Sequence, residues 1–305
     1  DNDEVRAYIM RIARMWVDFG IDGWRLDVPN EINDPDFWRE FRDVVKDANP
    51  EAYIVGEIWH EAHDWLQGDQ FDAVMNYPFL WPTLSFFGGD SLRDYHKPHL
   101  TFEPMGASDF STEIERVFDL YDWEITLAQL NLLDSHDMGR ALWILGEDRA
   151  ALKLSVLFQM TAPGAPCIYY GDEIGMSAGD DPYCREAFPW DDRHAWDGDL
   201  LQHYHRATAM RHEHEVLRTG RFDVIHAHDH VIGTKRTFHD RPDTAICLFN
   251  ADDEPAAVRL DADAIGIDAQ KYTSAWLEEG APLDLQGGSA TVTLPPQSAR
   301  VWVGE

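Results

Sequence analysis

Between residues 21 and 171, five short apolar runs each close on a cluster of charged or polar residues, with helix-period segments between them. The runs are Ile21 to Val28, Ala52 to Trp59, Ala73 to Phe79, Asn131 to His136 and Pro166 to Gly171. Ahead of the first, Val5, Tyr8, Ile9, Ile12, Ala13, Trp16 and Val17 recur at helical spacing and stop at Gly20. Helices are likewise expected over about 35–47, 111–130, 148–160 and 198–213, with a short one ending at Gly68. Strands alternating with helices predict an α/β fold with a parallel sheet covered on both faces. From Leu217 the pattern changes to short strands cut by Asp, Gly and Pro turns, among them TAICLFNA and ATVTLP. That change predicts a second, antiparallel β domain, with 1–215 in the first part and 216–305 in the second.

Charge narrows the function classes. Asp and Glu number 56 against 25 Lys and Arg, a formal charge of −31, and only five of the cations are Lys. So negative a surface repels phosphate backbones, which argues against a nucleic-acid partner. The same Asp-rich, Lys-poor usage suits a high-salt medium, where screening removes the self-repulsion of an acidic compact state. No apolar run approaches the 18 residues of a membrane span. Cys167, Cys184 and Cys247 are odd in number and form no C-x-x-C, so neither a disulfide framework nor a cysteine metal site is expected. The expected compartment is the cytoplasm.

In parallel α/β proteins reactive groups gather at the carboxyl ends of strands. Here the ends carry Arg25-Leu26-Asp27, Gly56-Glu57-Ile58-Trp59, Asn76-Tyr77, His136-Asp137 and Gly171-Asp172-Glu173. Arg25 and Asp27, two apart on a strand, face the same side, so the guanidinium keeps Asp27 ionised, as a nucleophile requires. Glu57 lies among Val55, Ile58 and Trp59, apolar neighbours that favour a protonated carboxyl and a general-acid role. Asp137, beside His136, adds a second negative charge toward a cationic transition state. This constellation describes retaining glycoside hydrolysis, with nucleophile and acid about 5 Å apart on neighbouring strands.

Four segments, DGWRLDVPNE, IVGEIWH, NLLDSHDMGR and GAPCIYYGDEIGM, resemble in order the strand-4, strand-5, strand-7 and strand-8 motifs of the α-amylase family of glycoside hydrolases. LPPQSARVW is similar to the closing strand of that family's C-terminal domain, and QFDAVMNYPF and GDDPYCR resemble its neopullulanase, cyclomaltodextrinase and maltogenic amylase branch. The resemblance implies a (β/α)8 TIM-type barrel, here only about strands 4–8, followed by an antiparallel β-sandwich. It implies Asp27 as nucleophile, Glu57 as general acid/base and Asp137 as transition-state stabiliser. Arg25 would orient Asp27, and His136 would hydrogen-bond the same sugar. Trp59 and Tyr77 would stack on sugar rings, Asn30 and Glu31 would face the acceptor, and Asp181 and Arg185 would bind units toward the non-reducing end. The implied substrates are maltooligosaccharides, cyclodextrins, pullulan or starch, cut at α-1,4 and in some cases α-1,6 bonds, with transfer to sugar hydroxyls competing with hydrolysis. No cofactor is implied. The resemblance also allows a calcium site and a homodimer, whose ligands and contacts would lie upstream of this chain together with the first three barrel strands.

Two rival functions compete: a non-catalytic carbohydrate-binding protein on the same fold, and an inactive truncated homologue. The intact triad of Asp27, Glu57 and Asp137 argues against the first, and the missing strands argue for the second. His60-Glu61-Ala62-His63 falls short of the zinc motif H-E-x-x-H, since Asp64 stands where the second His is needed. His226, His228 and His230 alternate along one predicted strand, and exposed strand histidines are the expected reading over a metal site.

Overall fold

The computed structural model describes residues 2–268, 270–276 and 281–304. Helix α1 (Asp3–Phe19) starts where the Asn2 side chain accepts the Glu4 and Val5 N–H groups, and ends at Gly20 with φ 110°. Its buried residues are Met10, Ala13 and Val17, while Val5, Tyr8, Met15, Trp16 and Phe19 are exposed. Strand β1 (Gly23–Leu26), helix α2 (Pro35–Ala48), strand β2 (Tyr53–Gly56) and strand β3 (Ala73–Val74) follow. Next come α3 (Tyr77–Gly88), the hairpin β4 (His96–Lys97) and β5 (Leu100–Thr101), α4 (Ala107–Phe118) and α5 (Trp123–Ala128). The α/β part continues through β6 (Leu130–Leu132), α6 (Ala141–Ile144), α7 (Arg149–Thr161), β7 (Ala165–Cys167), α8 (Gly198–Glu213) and α9 (Glu215–Thr219).

Strands β1, β2 and β3 pair in parallel, as do β6 and β7, and a parallel bridge from Met75 to Leu130 joins the two groups. Five short parallel strands thus form one arc, β1-β2-β3-β6-β7. Among the described residues β1 pairs only with β2 and β7 only with β6. Helices α1 and α2 close over one flank on Phe37, Trp38, Phe41, Ile54 and Phe71.

Strand β8 (Arg221–His228) opens the second part, followed by β9 (Val231–Thr237), β10 (Thr244–Asn250), β11 (Ala256–Asp261) and α10 (Ala262–Ile265). Strands β12 (Lys271–Ser274), β13 (Leu283–Asp284), β14 (Ser289–Leu294) and β15 (Ser298–Gly304) complete it. Its main sheet has the order β13-β12-β15-β10-β9-β8, faced by the ribbon β11-β14. Alternation along β10 explains both contacts. Ala245, Cys247 and Phe249 point to the α/β part, where Phe249 meets Phe87 and Phe158 at ring separations of 5.7 Å. Ile246 and Leu248 point instead to Val258, Leu260 and Leu294 of the ribbon. Two buried guanidinium groups lock the junction. Arg211 donates to the carbonyls of Met160, Ala162 and Leu217, and Arg236 donates to Thr161, Leu217 and Gly220. Both satisfy carbonyls at or beyond the C-terminal end of α7, where positive charge is favoured.

Several expected elements differ. The strands are shorter than their apolar runs, because each run continues past its last ladder pair into the loop that bears the polar residues. The run Ala73 to Phe79 is strand only to Val74, and Tyr77 already begins α3. That helix has Pro78 in its first turn and eleven buried residues, so it shows no polar face to reveal its period. The helix expected over 111–130 is two, α4 starting at Ala107 and α5 at Trp123. The helix expected before Gly68 is a single 3-10 turn, His63–Trp65. His230 lies in the turn between β8 and β9, not on the strand with His226 and His228.

Candidate active site

Register builds the first half of the site. Leu26 stands opposite Gly56, and the Glu57 N–H donates to the Leu26 carbonyl at 2.9 Å, so Asp27 and Glu57 leave adjacent strands at the same level. Arg25 joins them: Nη1 lies 2.6 Å from Asp27 Oδ1 and Nη2 lies 3.0 Å from Glu57 Oε2. That hydrogen bond and the Arg25 charge hold the Asp27 carboxyl below its usual range, and Glu57 and His136 add to the effect. Glu57 is 2% exposed and surrounded by donors rather than by the apolar groups its sequence neighbours suggest. Besides Arg25 it accepts from the Val28 N–H and from Trp59 Nε1, each at 3.2 Å. Val28 adopts φ 34°, a strained conformation for a β-branched residue, directly after Asp27. Asn30 and Glu31 sit in the 3-10 turn that follows, and among the described residues neither side chain bonds to the three carboxylates.

The second half comes from the loop after β6. Asp137 lies 3.0 Å from His136 Nε2 and 2.8 Å from Arg185 Nη2, while Arg185 Nε donates to the His136 carbonyl at 2.7 Å. Arg185 is thus a clamp on Asp137, with Asp181 3.6 Å away, so the two residues expected to bind units toward the non-reducing end stand beside the carboxylate site. Cys184 Sγ donates to the same His136 carbonyl at 3.2 Å. Tyr77 lies deeper than a sugar platform requires. It is fully buried and stacks on Trp59 at 4.3 Å, so one face is covered and only the half-buried Trp59 remains as a sugar platform. Its hydroxyl donates to Ser135 Oγ at 3.0 Å, and burial pushes its pKa up. Glu57, Asp137 and Arg25 all act on the Tyr77 hydroxyl electrostatically, so both halves converge beside it.

Of the buried cluster behind this loop, the sequence marked Asp172 at its strand end but not Asp134 or Arg140. Asp134 and Asp172 are both buried, from the ends of β6 and β7. Arg140 Nη1 lies 3.0 Å from Asp172 Oδ1, and Asp134 Oδ2 accepts the Ala141 N–H at 2.6 Å. Burial raises both carboxyls, Asp172 well above its usual range, with the Asp134 charge raising Asp172 further. Arg140 rests over the rings of Tyr169 and Tyr170 at 4.6 and 4.9 Å. The signal was present as the first Asp of DSHD and as GDE. Among the described residues no three His, Cys, Asp or Glu side chains are grouped to hold a metal ion.

Residues 1–198 match the family model of the α-amylase catalytic domain. The chain is 42% identical over 264 residues to a cyclomaltodextrinase of Geobacillus thermopakistaniensis, covering 86% of this chain and 42% of that protein. It is 44% identical over 227 residues to neopullulanase 2 of Thermoactinomyces vulgaris, covering 74% and 36%. A crystal structure of a debranching enzyme from Nostoc punctiforme superposes with a TM-score of 0.88 at 41% identity, over 99% of this chain and 62% of that one. The chain therefore spans less than half the length of these two curated relatives.

Proposed function

We propose, since the chain belongs to the α-amylase family, that its strand-end carboxylates perform retaining hydrolysis of α-glucosidic bonds. One observation carries this reading: a single guanidinium, Arg25, grips Asp27 and Glu57 at the ends of neighbouring strands. Asp27, kept ionised, attacks the anomeric carbon while Glu57 delivers a proton to the departing glycosidic oxygen. A covalent glycosyl ester on Asp27 results. Glu57 then removes a proton from water, which attacks the same carbon and frees the carboxylate. A sugar hydroxyl in place of that water gives transglycosylation. Asp137, oriented by His136 and Arg185, grips ring hydroxyls of the distorted sugar.

The names of the relatives favour cyclodextrins and pullulan as substrates, and the reading extends to maltooligosaccharides and starch, with cleavage at α-1,4 and in some cases α-1,6 bonds. The arc of five strands corresponds in this reading to strands 4–8 of the family's eight-stranded barrel, and the sheet-and-ribbon pair to its C-terminal β-sandwich. Three free thiols fit the cytoplasm. A homodimer and a calcium site stay proposals tied to segments beyond this chain.

A second reading has its own support. The Asp27 side chain is 74% exposed and tied to Arg25, an arrangement that also suits glucan binding without turnover. Incubation with a cyclodextrin or pullulan separates the two. Catalysis predicts released oligosaccharides, with Asp27→Asn and Glu57→Gln each losing roughly three or more orders of magnitude. Sugar binding with no product supports the second reading against the first, and product formation untouched by either substitution overturns the roles given to Asp27 and Glu57.

A further inference from the structure

Four of the chain's 25 cations line a single cavity of about 550 Å³ where α7, α8 and β15 meet: Arg149, Lys153, Arg206 and Arg300. In a chain with 56 acids, that convergence runs against the overall field. The lining holds one carboxylate, Asp199, and it is already ion-paired to Lys153. Arg149 is held by Asp197 at 2.8 Å. Arg206 and Arg300 have no carboxylate partner among the described residues, and Arg300 donates only to the Ala299 carbonyl, at 3.0 Å. Trp276 closes one wall, edge-to-face with His203 at 4.9 Å. His203 bonds through Nε2 to the Lys153 carbonyl at 2.8 Å, and burial lowers its pKa to about 4, so at neutral pH it adds no charge. No lining residue belongs to the carboxylate site.

Two guanidinium forks without a carboxylate partner, beside the Asp199-paired Lys153 and the Asp197-held Arg149, supply donors and charge that suit a phosphate dianion better than a single carboxylate. The cavity is larger than phosphate alone requires, and small-molecule sites of this size combine an aromatic wall with a few polar groups. Gln202 and Gln297 supply amides at its rim for hydroxyls. We propose that this cavity binds a phosphate monoester dianion, as free phosphate or as a phosphorylated sugar, and so ties α7 and α8 to β15.

The test is titration calorimetry on the full chain with inorganic phosphate, glucose 1-phosphate and neutral maltose. It is run near 0.15 M KCl, where a Debye length of about 8 Å screens the global negative charge but not contacts inside the cavity. Saturable binding of the phosphates is expected, weakened about tenfold or more by Arg206→Gln or by Arg300→Gln. Tighter binding of glucose 1-phosphate identifies a sugar phosphate, and equal affinities identify free phosphate. Arg206→Lys and Arg300→Lys, which keep the charge, should recover part of the affinity, and circular dichroism checks that each variant is folded. No saturable phosphate binding, binding unchanged in the folded double Gln variant, or maltose binding as tightly as glucose 1-phosphate would overturn the proposal.

Discussion

The Arg25 guanidinium serves two carboxylates at once, and replacing it separates its effects. Arg25→Met removes the main cause of the low Asp27 pKa, so that pKa rises. The acid limb of kcat/KM is then expected to move to higher pH, with the plateau falling about a hundredfold as nucleophile and acid lose their shared anchor. A pH profile with an unmoved acid limb would contradict that role. His203 gives a stability counterpart. Its folded pKa of about 4 lies below the ordinary histidine value of 6.5. As pH falls from 6.5 toward 4, the unfolded chain takes up a proton that the folded chain refuses, so stability is lost in that window. Full neutralisation of the effect is worth up to about 3 kcal/mol. Thermal melts from pH 7 to pH 4 should therefore fall less steeply for His203→Gln than for the natural chain, and parallel curves would refute the assignment.

At the level of elements, the site depends on how closely β1 approaches β2. A Cβ on Gly23 would stand 2.1 Å from the Tyr53 carbonyl oxygen, a backbone atom that cannot swing away. Gly23→Ala should push the strands apart, cost about 2 kcal/mol or more, and lower turnover by misaligning Asp27 with Glu57. Denaturant melts and steady-state rates check both, and an unchanged midpoint would show the pairing to be more yielding. The same elements explain what was legible in sequence. Arg25, Asp27 and Glu57 could be read because the two-residue strand period and short polar endings survive any uncertainty in strand length. Helix α1 was readable from its stripe of apolar residues. Helix α3 was not, because a helix buried on all sides has no period to detect. The Arg185 clamp on Asp137 joins residues 48 apart through an irregular loop, and no local pattern encodes such a contact. The Asp134–Arg140–Asp172 support spans β6 and β7 in the same way.

Across the whole molecule, a charge of −31 and the apolar residues exposed on α1 act together. Val5, Tyr8, Trp16 and Phe19 leave apolar surface on α1, and the strong negative charge opposes its self-association. Charge also burdens the fold itself. The melting temperature is expected to rise between dilute buffer and about 1 M KCl, as screening shortens the reach of repulsion to a few ångströms. A flat or falling dependence would mean that local ion pairs, such as those of Arg42 and Lys46 with Asp72, outweigh it. The central claim is chemical: two carboxylates bridged by Arg25 act on one anomeric carbon, and Asp27 forms the bond. Its most direct test is peptide mass spectrometry after incubation with an activated 5-fluoro-α-glucosyl fluoride, which accumulates the covalent intermediate. The account predicts one 5-fluoro-hexosyl adduct, with the anomeric fluoride released, on the peptide carrying Asp27 and absent in Asp27→Asn. An adduct on Glu57 or Asp137, or none at all, would contradict it.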